Sequence, residues 1–341
     1  MAQLRKIILV TGAPANSGLA YFYYQGLRDV SNLPIDLIDN GQISYNRTFV
    51  KRLVGKFQRY LAFRAKNQLQ RILMSIGGDP DSTAILIFGL ADLRHQELLS
   101  LWQTGASLYV YISDSPFGMQ PKARQAIFQV LPFFKSVFTF LQDMLPVYYQ
   151  YGARNVQRIP FAYCRYTHLL DKPMRAPDGH VYYFGTYGPL IEKWLIPLSD
   201  FNLVIHGHDW ERSRHPKLRA AYKHPIALDH EMAKIANGQL VINFVRAEHG
   251  AGHSMKTFEL PAAGACVITN RTDEQLGFFP EASCVTYFNT VPEMENLVLE
   301  FVRNPQKITE KIEARELYLK GQSYHERAGV LLKELEVGFC A

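Results

Sequence analysis

The stretch Asn243–Asn270 reads NFVRAEHGAGHSMKTFELPAAGACVITN. It opens at the end of an apolar run, Gln239–Phe244, that reads as a strand, and closes on a second such run, Ala265–Thr269. Between them the pattern predicts a loop and then a helix over Thr257–Ala263. Glu259 falls early in that helix. Ala262, Ala263, Gly264 and Ala265 are small enough for the helix to pack close to the next strand. A carboxylate so placed can accept two hydrogen bonds from a ribose diol, as in dinucleotide-binding folds. The N–H groups from Ser254 to Thr257 form a helix N-terminus able to receive a diphosphate, and Lys256 adds a point charge. The same residues also fit a capping box, with Thr257 or Ser254 as cap and Glu259 pairing locally, a common arrangement in a first helical turn.

Outward from this stretch the same alternation continues in both directions. Upstream, strands are expected at Lys6–Thr11, Pro34–Asp39, Asp81–Gly89 (after a turn), Ser107–Ser113, Ser136–Phe140 and Arg158–Tyr163. Helices fall between them at Leu19–Val30, Tyr45–Ser75, Leu93–Thr104, Arg124–Leu131 and Leu145–Tyr151. A polar segment, Arg165–His180, with Pro173, Pro177 and Gly179, reads as a linker. The pattern then restarts with strands His180–Gly185 and Asn202–Gly207 and helices Leu190–Leu198 and Met232–Asn237. Helices Pro292–Asn304, Thr309–Gly321 and Tyr324–Val337 close the chain. Strands alternating with helices at this spacing argue for parallel sheets covered on both faces. The expected organisation is two wound α/β domains, 1–168 and 169–322, followed by a terminal helix in 323–341. Ligands of such sheets bind at the carboxyl ends of the strands. Two facing domains would put those ends across a cleft.

Composition excludes disorder and a membrane span. The chain has 341 residues, 48% hydrophobic and 20% charged, a balance for packed cores. The apolar run Ile7–Val10 stops at Thr11-Gly12, too short for a signal-peptide core. No stretch approaches the roughly 20 apolar residues of a spanning helix, so the expected compartment is the cytoplasm. The four cysteines show no zinc or redox spacing, and no metal site is expected. The formal net charge of +6 favours anionic partners such as nucleotides, anionic lipids or nucleic acid.

Several shorter patterns have two readings. Asp79-Pro80-Asp81 has the form of a metal-binding Asp-x-Asp, but it precedes a strand and so reads as a turn. His206 and His208 have only one nearby carboxylate and read as loop residues rather than metal ligands. The Gly12–Gly18 loop lacks the Gly-Lys-Ser/Thr ending of a P-loop, though its N–H groups could face a phosphate or an acceptor. The run Lys51–Arg71 carries Lys51, Arg52, Lys56, Arg59, Arg64, Lys66 and Arg71, with Phe57, Tyr60 and Phe63 interleaved. It is either a solvated helix face or a surface for an anionic acceptor or membrane.

Asn243-Phe244, then Ser254, Lys256, Phe258-Glu259, Ala262 and Gly264, then the strand at Cys266–Thr269, resemble the donor-nucleotide motif of the CgeB-like (spore maturation protein) glycosyltransferases. These are relatives of the group-one, retaining glycosyltransferases. Tyr183-Phe184-Gly185 resembles the strand that opens their second domain, and Gly207 to Trp210 resembles their Gly-x-x-Trp. Ser323 to Ala328 resembles their closing helix. The resemblance runs in order from Ile159 to Leu335. In the first half, Gly89, Leu93 and Tyr111 to Pro116 are similar to the family's strand–helix–strand ending in Asp-x-Pro. Gly152 and Arg158 to Ala162 are similar to its exit segment.

The resemblance implies a GT-B fold: two Rossmann-like doubly wound domains facing a cleft, with the last helix crossing back to the first domain. It implies transfer of a sugar from a nucleotide diphosphate sugar, with a UDP-sugar the first expectation, without a metal ion or other cofactor, and with retention. Glu259 would hold the ribose, with Lys256, Ser254 and Thr257 at the diphosphate and Gly185 and His206 beside the donor. The loop from Gly12 to Gly18 and Asp114 would face the cleft, Asp114 as acceptor contact or general base, or else as a turn-former before Ser-Pro. One departure stands out. Group-one enzymes carry a second glutamate eight positions before the ribose-binding one, and here that position is Ala251. Glu248 and His249 are the nearest candidates for its work, with His253 beside them. A nucleotide-sugar epimerase and a non-catalytic nucleotide-sugar-binding protein are the alternatives on the same fold. The acceptor is open among anionic glycan, lipid, protein and nucleic acid.

Overall fold

A computed structural model describes residues 3–39, 54–90, 93–170, 174–226 and 228–340, with the side chains of 54–62 and 340 outside that description. Lys51 and Arg52, the side chains of Lys56, Phe57, Arg59 and Tyr60, that of Cys340, and Pro173 of the expected linker thus lie outside the described residues. The chain divides into two compact units, 1–160 joined by 324–341, and 161–323. The boundary falls at Pro160–Phe161, ahead of the expected 168. Residues 161–168 pack with the second unit because Phe161 and His168 are both tied to it. Phe161 N–H donates to His253 Nε2 at 3.1 Å, and His168 lies against Glu259.

The first unit is built on a six-stranded parallel sheet. Its strands are β1 (Lys6–Val10), β2 (Ile35–Ile38), β3 (Thr83–Phe88), β4 (Ser107–Ile112), β5 (Ser136–Thr139) and β6 (Val156–Arg158), in the order β2-β1-β3-β4-β5-β6. β3 and β4 are buried at every residue, the pattern of strands covered on both faces. The strand expected at Arg158–Tyr163 lies earlier, because Pro160 has no N–H for a sheet ladder. The turn expected at Asp79-Pro80-Asp81 is present as a 3-10 turn, Pro80–Ser82, ahead of β3.

Helix Val54–Ile76 buries Ala65, Ile72 and Ile76 and turns Phe63, Lys66 and Met74 outward. The terminal helix Tyr324–Cys340 packs on helix Gly18–Val30 through a stripe of Tyr324, Ala328, Leu331, Leu335 and Phe339, all buried. Gly26 makes the approach possible, since a Cβ there would overlap the Tyr324 carbonyl oxygen.

The second unit holds a five-stranded parallel sheet. Its strands are β7 (Val181–Phe184), β8 (Leu203–His206), β9 (Leu240–Asn243), β10 (Cys266–Asn270) and β11 (Val285–Phe288), in the order β11-β10-β9-β7-β8. β11 and the helix Asp273–Phe278 before it were not anticipated. The sheet builds outward from β7 to β8 on one side and through β9 on the other. The strand order therefore reverses between β7 and β9, where an open parallel sheet leaves a crevice at its carboxyl edge. Among the described residues no helix is long and apolar enough to cross a membrane, and no group of three or more His, Cys, Asp or Glu is arranged to hold a metal ion.

Candidate donor-binding site

A crevice of about 160 Å3 opens at the carboxyl ends of β7 and β8, walled by Phe184 to Thr186, His206 to His208, Pro225, Ile226, Leu228, Asp229 and Lys256. Its floor depends on glycines. A Cβ at Gly207 would overlap the Gly185 carbonyl oxygen, and that same carbonyl accepts the Trp210 indole N–H at 2.8 Å. Asp209 bridges them in a left-handed turn at φ 65°. The spacing Gly207 to Trp210 thus ties the β8 turn onto the end of β7.

His206 stacks on Phe184, with centroids 5.7 Å apart and planes at 11°, and its Nδ1 faces the His224 carbonyl at 3.1 Å. A carbonyl can only accept, so Nδ1 carries the proton and Nε2 is a bare acceptor. Burial lowers the His206 pKa and favours this neutral form.

Helix Lys256–Ala263 follows β9 across the reversal point. Its C-terminal Gly264 adopts φ 83°, and a Cβ there would come within 2.7 Å of the Arg315 guanidinium, which accounts physically for the glycine in the motif. At its start the Thr257 hydroxyl accepts the Ser254 N–H at 3.1 Å and donates to Gln275 Oε1 at 3.2 Å. The side chain expected to meet a diphosphate is therefore committed to holding the turn. The Ser254 hydroxyl is buried and, among the described residues, has no hydrogen-bond partner. Among the described residues the N–H groups of Met255 and Lys256 have no protein acceptor.

Glu259 is 2% exposed. Lys256 Nζ stands 3.7 Å from its Oε2 and His168 Nε2 3.9 Å from its Oε1; among the described residues no side chain caps this helix, but Glu259 does pair locally, with Lys256 three residues before it. Burial pushes its carboxyl up to about 7, against the pull of Lys256 and with a push from Asp229. Lys256 lines the crevice, and the buried Glu259 carboxylate lies against the Lys256 ammonium rather than on the crevice wall. Asp229, at the first turn of helix Asp229–Ala236, shares the wall. Sequence reasoning missed it, since the helix expected at Met232–Asn237 left Asp229 three residues outside.

Glu248, His249 and His253 do not line this crevice. Glu248 and His249 occupy a 3-10 turn, Ala247–His249, in the loop after β9, where Glu248 faces Arg246 at 3.7 Å. His253 is fully buried, and its Nε2 accepts from Phe161 N–H. Its Nδ1 therefore donates to Glu274 at 2.7 Å, which makes it a brace between loop and helix. In the first unit Gly12 follows β1 and Asp114 follows β4 at the same carboxyl edge. The loop's Ala13 and Ala15 N–H groups are already taken by Thr11 Oγ1 and Asp39 Oδ2. Gly18 begins helix Gly18–Val30 at φ 76°. Asp114 is exposed, and its charge reaches the buried Tyr148 hydroxyl, whose pKa is raised chiefly by burial.

Residues 189–333 match the family model described as Glycosyl transferase-like. No curated protein matches the chain in sequence. Solved structures that share its fold include the following three. Sucrose-phosphate synthase from Thermosynechococcus elongatus superposes with a TM-score of 0.63 at 12% identity, over 97% of this chain and 99% of that one. HepE from Anabaena, solved with UDP and glucose, gives 0.61 at 10% identity over 97% and 99%. TarM gives 0.57 at 13% identity over 80% of this chain, which spans 58% of TarM's length. At such identities the likeness is one of fold. The class it defines, with the two parallel-sheet α/β units, is GT-B. Within it, the second unit carries the glycosyltransferase-like sequence pattern.

Proposed function

We propose that the chain is a cytoplasmic glycosyltransferase of the CgeB-like kind that takes its sugar from a UDP-sugar. The observation that carries this reading is the buried Glu259 carboxylate beside Lys256, on the helix that follows β9 where the strand order of the second sheet reverses. Among the described residues the polar groups set against this buried carboxylate, a lysine 3.7 Å away and a histidine 3.9 Å away, stand beyond ordinary hydrogen-bond length. The ribose 2′- and 3′-hydroxyls would donate to it and supply the missing hydrogen bonds. Lys256 would turn from Glu259 to the diphosphate, which the N–H groups of Met255 and Lys256 would also meet. Together they would offset the charge that grows on the leaving diphosphate as the glycosidic bond breaks. That is the work a metal ion does in other transferases, so turnover is expected to persist in EDTA. The motif's likeness to the group-one enzymes supports retention. The acceptor would bind the first unit near Gly12 to Gly18 and Asp114, with Asp114 taking the acceptor's proton.

The test is a thermal-shift and nucleotide-release screen with UDP-, GDP-, ADP- and dTDP-sugars in EDTA, for wild type and Glu259→Ala. A ligand at 100 times its Kd adds about 2.7 kcal/mol of stability. A shift with the UDP-sugar, lost in Glu259→Ala, together with slow UDP release, supports the reading. A shift indifferent to Glu259 removes the donor from this site. A second reading, a binding protein without turnover, is favoured by Ala251 in place of the expected first glutamate. It predicts the same shift with no UDP released.

A further inference from the structure

Behind Glu259 lies His168, a residue that no motif singles out. It ends the single helical turn Arg165–His168 and is 0% exposed. The Cys164 N–H donates to its Nδ1 at 2.9 Å, so that nitrogen is an acceptor and the ring proton sits on Nε2. Nε2 is the atom 3.9 Å from Glu259 Oε1. Burial first, then the neighbouring charges of Lys256 and His230, hold the His168 pKa down to about 3. The ring therefore presents a dipole to the carboxylate rather than a second cation.

The two oxygens of Glu259 thus have different neighbours. Oε2 faces Lys256, a cation that the ligand's diphosphate would draw away. Oε1 faces a fixed, neutral N–H on a buried ring. We propose that His168 is a positioning residue for the ribose-binding carboxylate, its Nε2–H orienting Glu259 from behind so that the carboxylate stays aimed at the ribose diol once Lys256 turns away. This rests on the donor-site reading above. A neutral group suits the task. It orients the carboxylate without neutralising it, whereas an imidazolium would compete with the ribose hydroxyls for the same oxygens.

A purely structural His168 would also brace its own turn through the Cys164 N–H, so the test reads ribose recognition rather than affinity alone. UDP and 2′-deoxy-UDP are titrated calorimetrically into the full chain for wild type, His168→Phe, His168→Gln and Glu259→Gln. Wild type is expected to prefer UDP by about tenfold, the worth of one hydrogen bond to a charged group. His168→Phe should bring the two affinities to within about twofold, by weakening UDP and sparing the deoxy ligand. His168→Gln, which keeps an N–H, should retain most of the preference. If the Phe variant fails to fold by circular dichroism, His168→Asn, whose shorter amide withdraws the N–H, is read the same way. Equal weakening of both ligands, or an intact preference in His168→Phe beside its loss in Glu259→Gln, overturns the role of His168 and leaves the donor site standing. No preference in wild type takes Glu259 off the ribose, and both readings fall together.

Discussion

Glu259 couples ionisation to stability and, on the proposed reading, to donor binding with the opposite sign. Its carboxyl titrates near 4.5 when unfolded and is pushed up to about 7 when folded. The folded state therefore holds the proton more tightly, so its relative stability is fully present below about 4.5 and is lost as pH rises through about 7. Donor binding runs the other way, because ribose hydroxyls need an ionised acceptor. UDP-glucose is the useful probe, since its diphosphate has no proton to lose in this range. Calorimetry from pH 6 to 8 should show UDP-glucose affinity rising for wild type and flat for Glu259→Gln. A flat wild-type profile would detach this carboxylate from the ribose. Glu259 and Lys256 were legible because the motif places them on one helical turn. Asp229 and His168 were not, because each reaches the site from a distant segment and neither has a local pattern that predicts such an approach.

At the scale of elements, glycines at close approaches decide whether the parts fit. Gly26 lets helix Gly18–Val30 meet Tyr324. Gly26→Ala should cost about 1–3 kcal/mol by overpacking, read as a lower urea midpoint with unchanged slope. A midpoint equal to wild type would mean that the helices shift apart at no cost. Gly207→Ala sits where β8 turns against the Gly185 carbonyl. It should weaken UDP binding at least about tenfold, and more than it lowers the melting temperature would suggest, because the displaced turn forms the crevice floor. The strand–helix alternation was readable wherever apolar runs were long, as in β3 and β4. It failed at β11, where a four-residue run had no flanking signal beyond Ser283-Cys284, and at β6, where the apolar residues after Arg158 belong to the crossing between units and not to the sheet.

At the scale of the whole molecule, the second unit is one continuous segment and the first is not. Residues 161–323 expressed alone should fold and bind UDP within about threefold of the full chain, since every described residue of the crevice lies within them. Loss of UDP binding in a folded 161–323 fragment would show that the site needs residues of the first unit. Deletion of 324–341 should destabilise the first unit by several kcal/mol, because it strips five buried side chains from helix Gly18–Val30 and the sheet beneath. Limited proteolysis should then cleave residues 1–160 well before 161–323.

The sequence alone determined two parallel α/β sheets, the helix that carries Glu259 and the return of a glycosyltransferase-like pattern in the second half. Those properties are local: apolar runs, their periodicity, and glycines at turns depend on residues a few positions apart. Tertiary structure alone decided that Glu259 is buried beside Lys256 with His168 at its back. It also showed that Thr257 and His253 are committed to bracing the loop, and that Asp229 walls the crevice. These depend on which distant segments the sheet brings together at its reversal point. A single sequence carries no record of that proximity, because a buried histidine or an acidic first turn looks the same wherever the chain later folds.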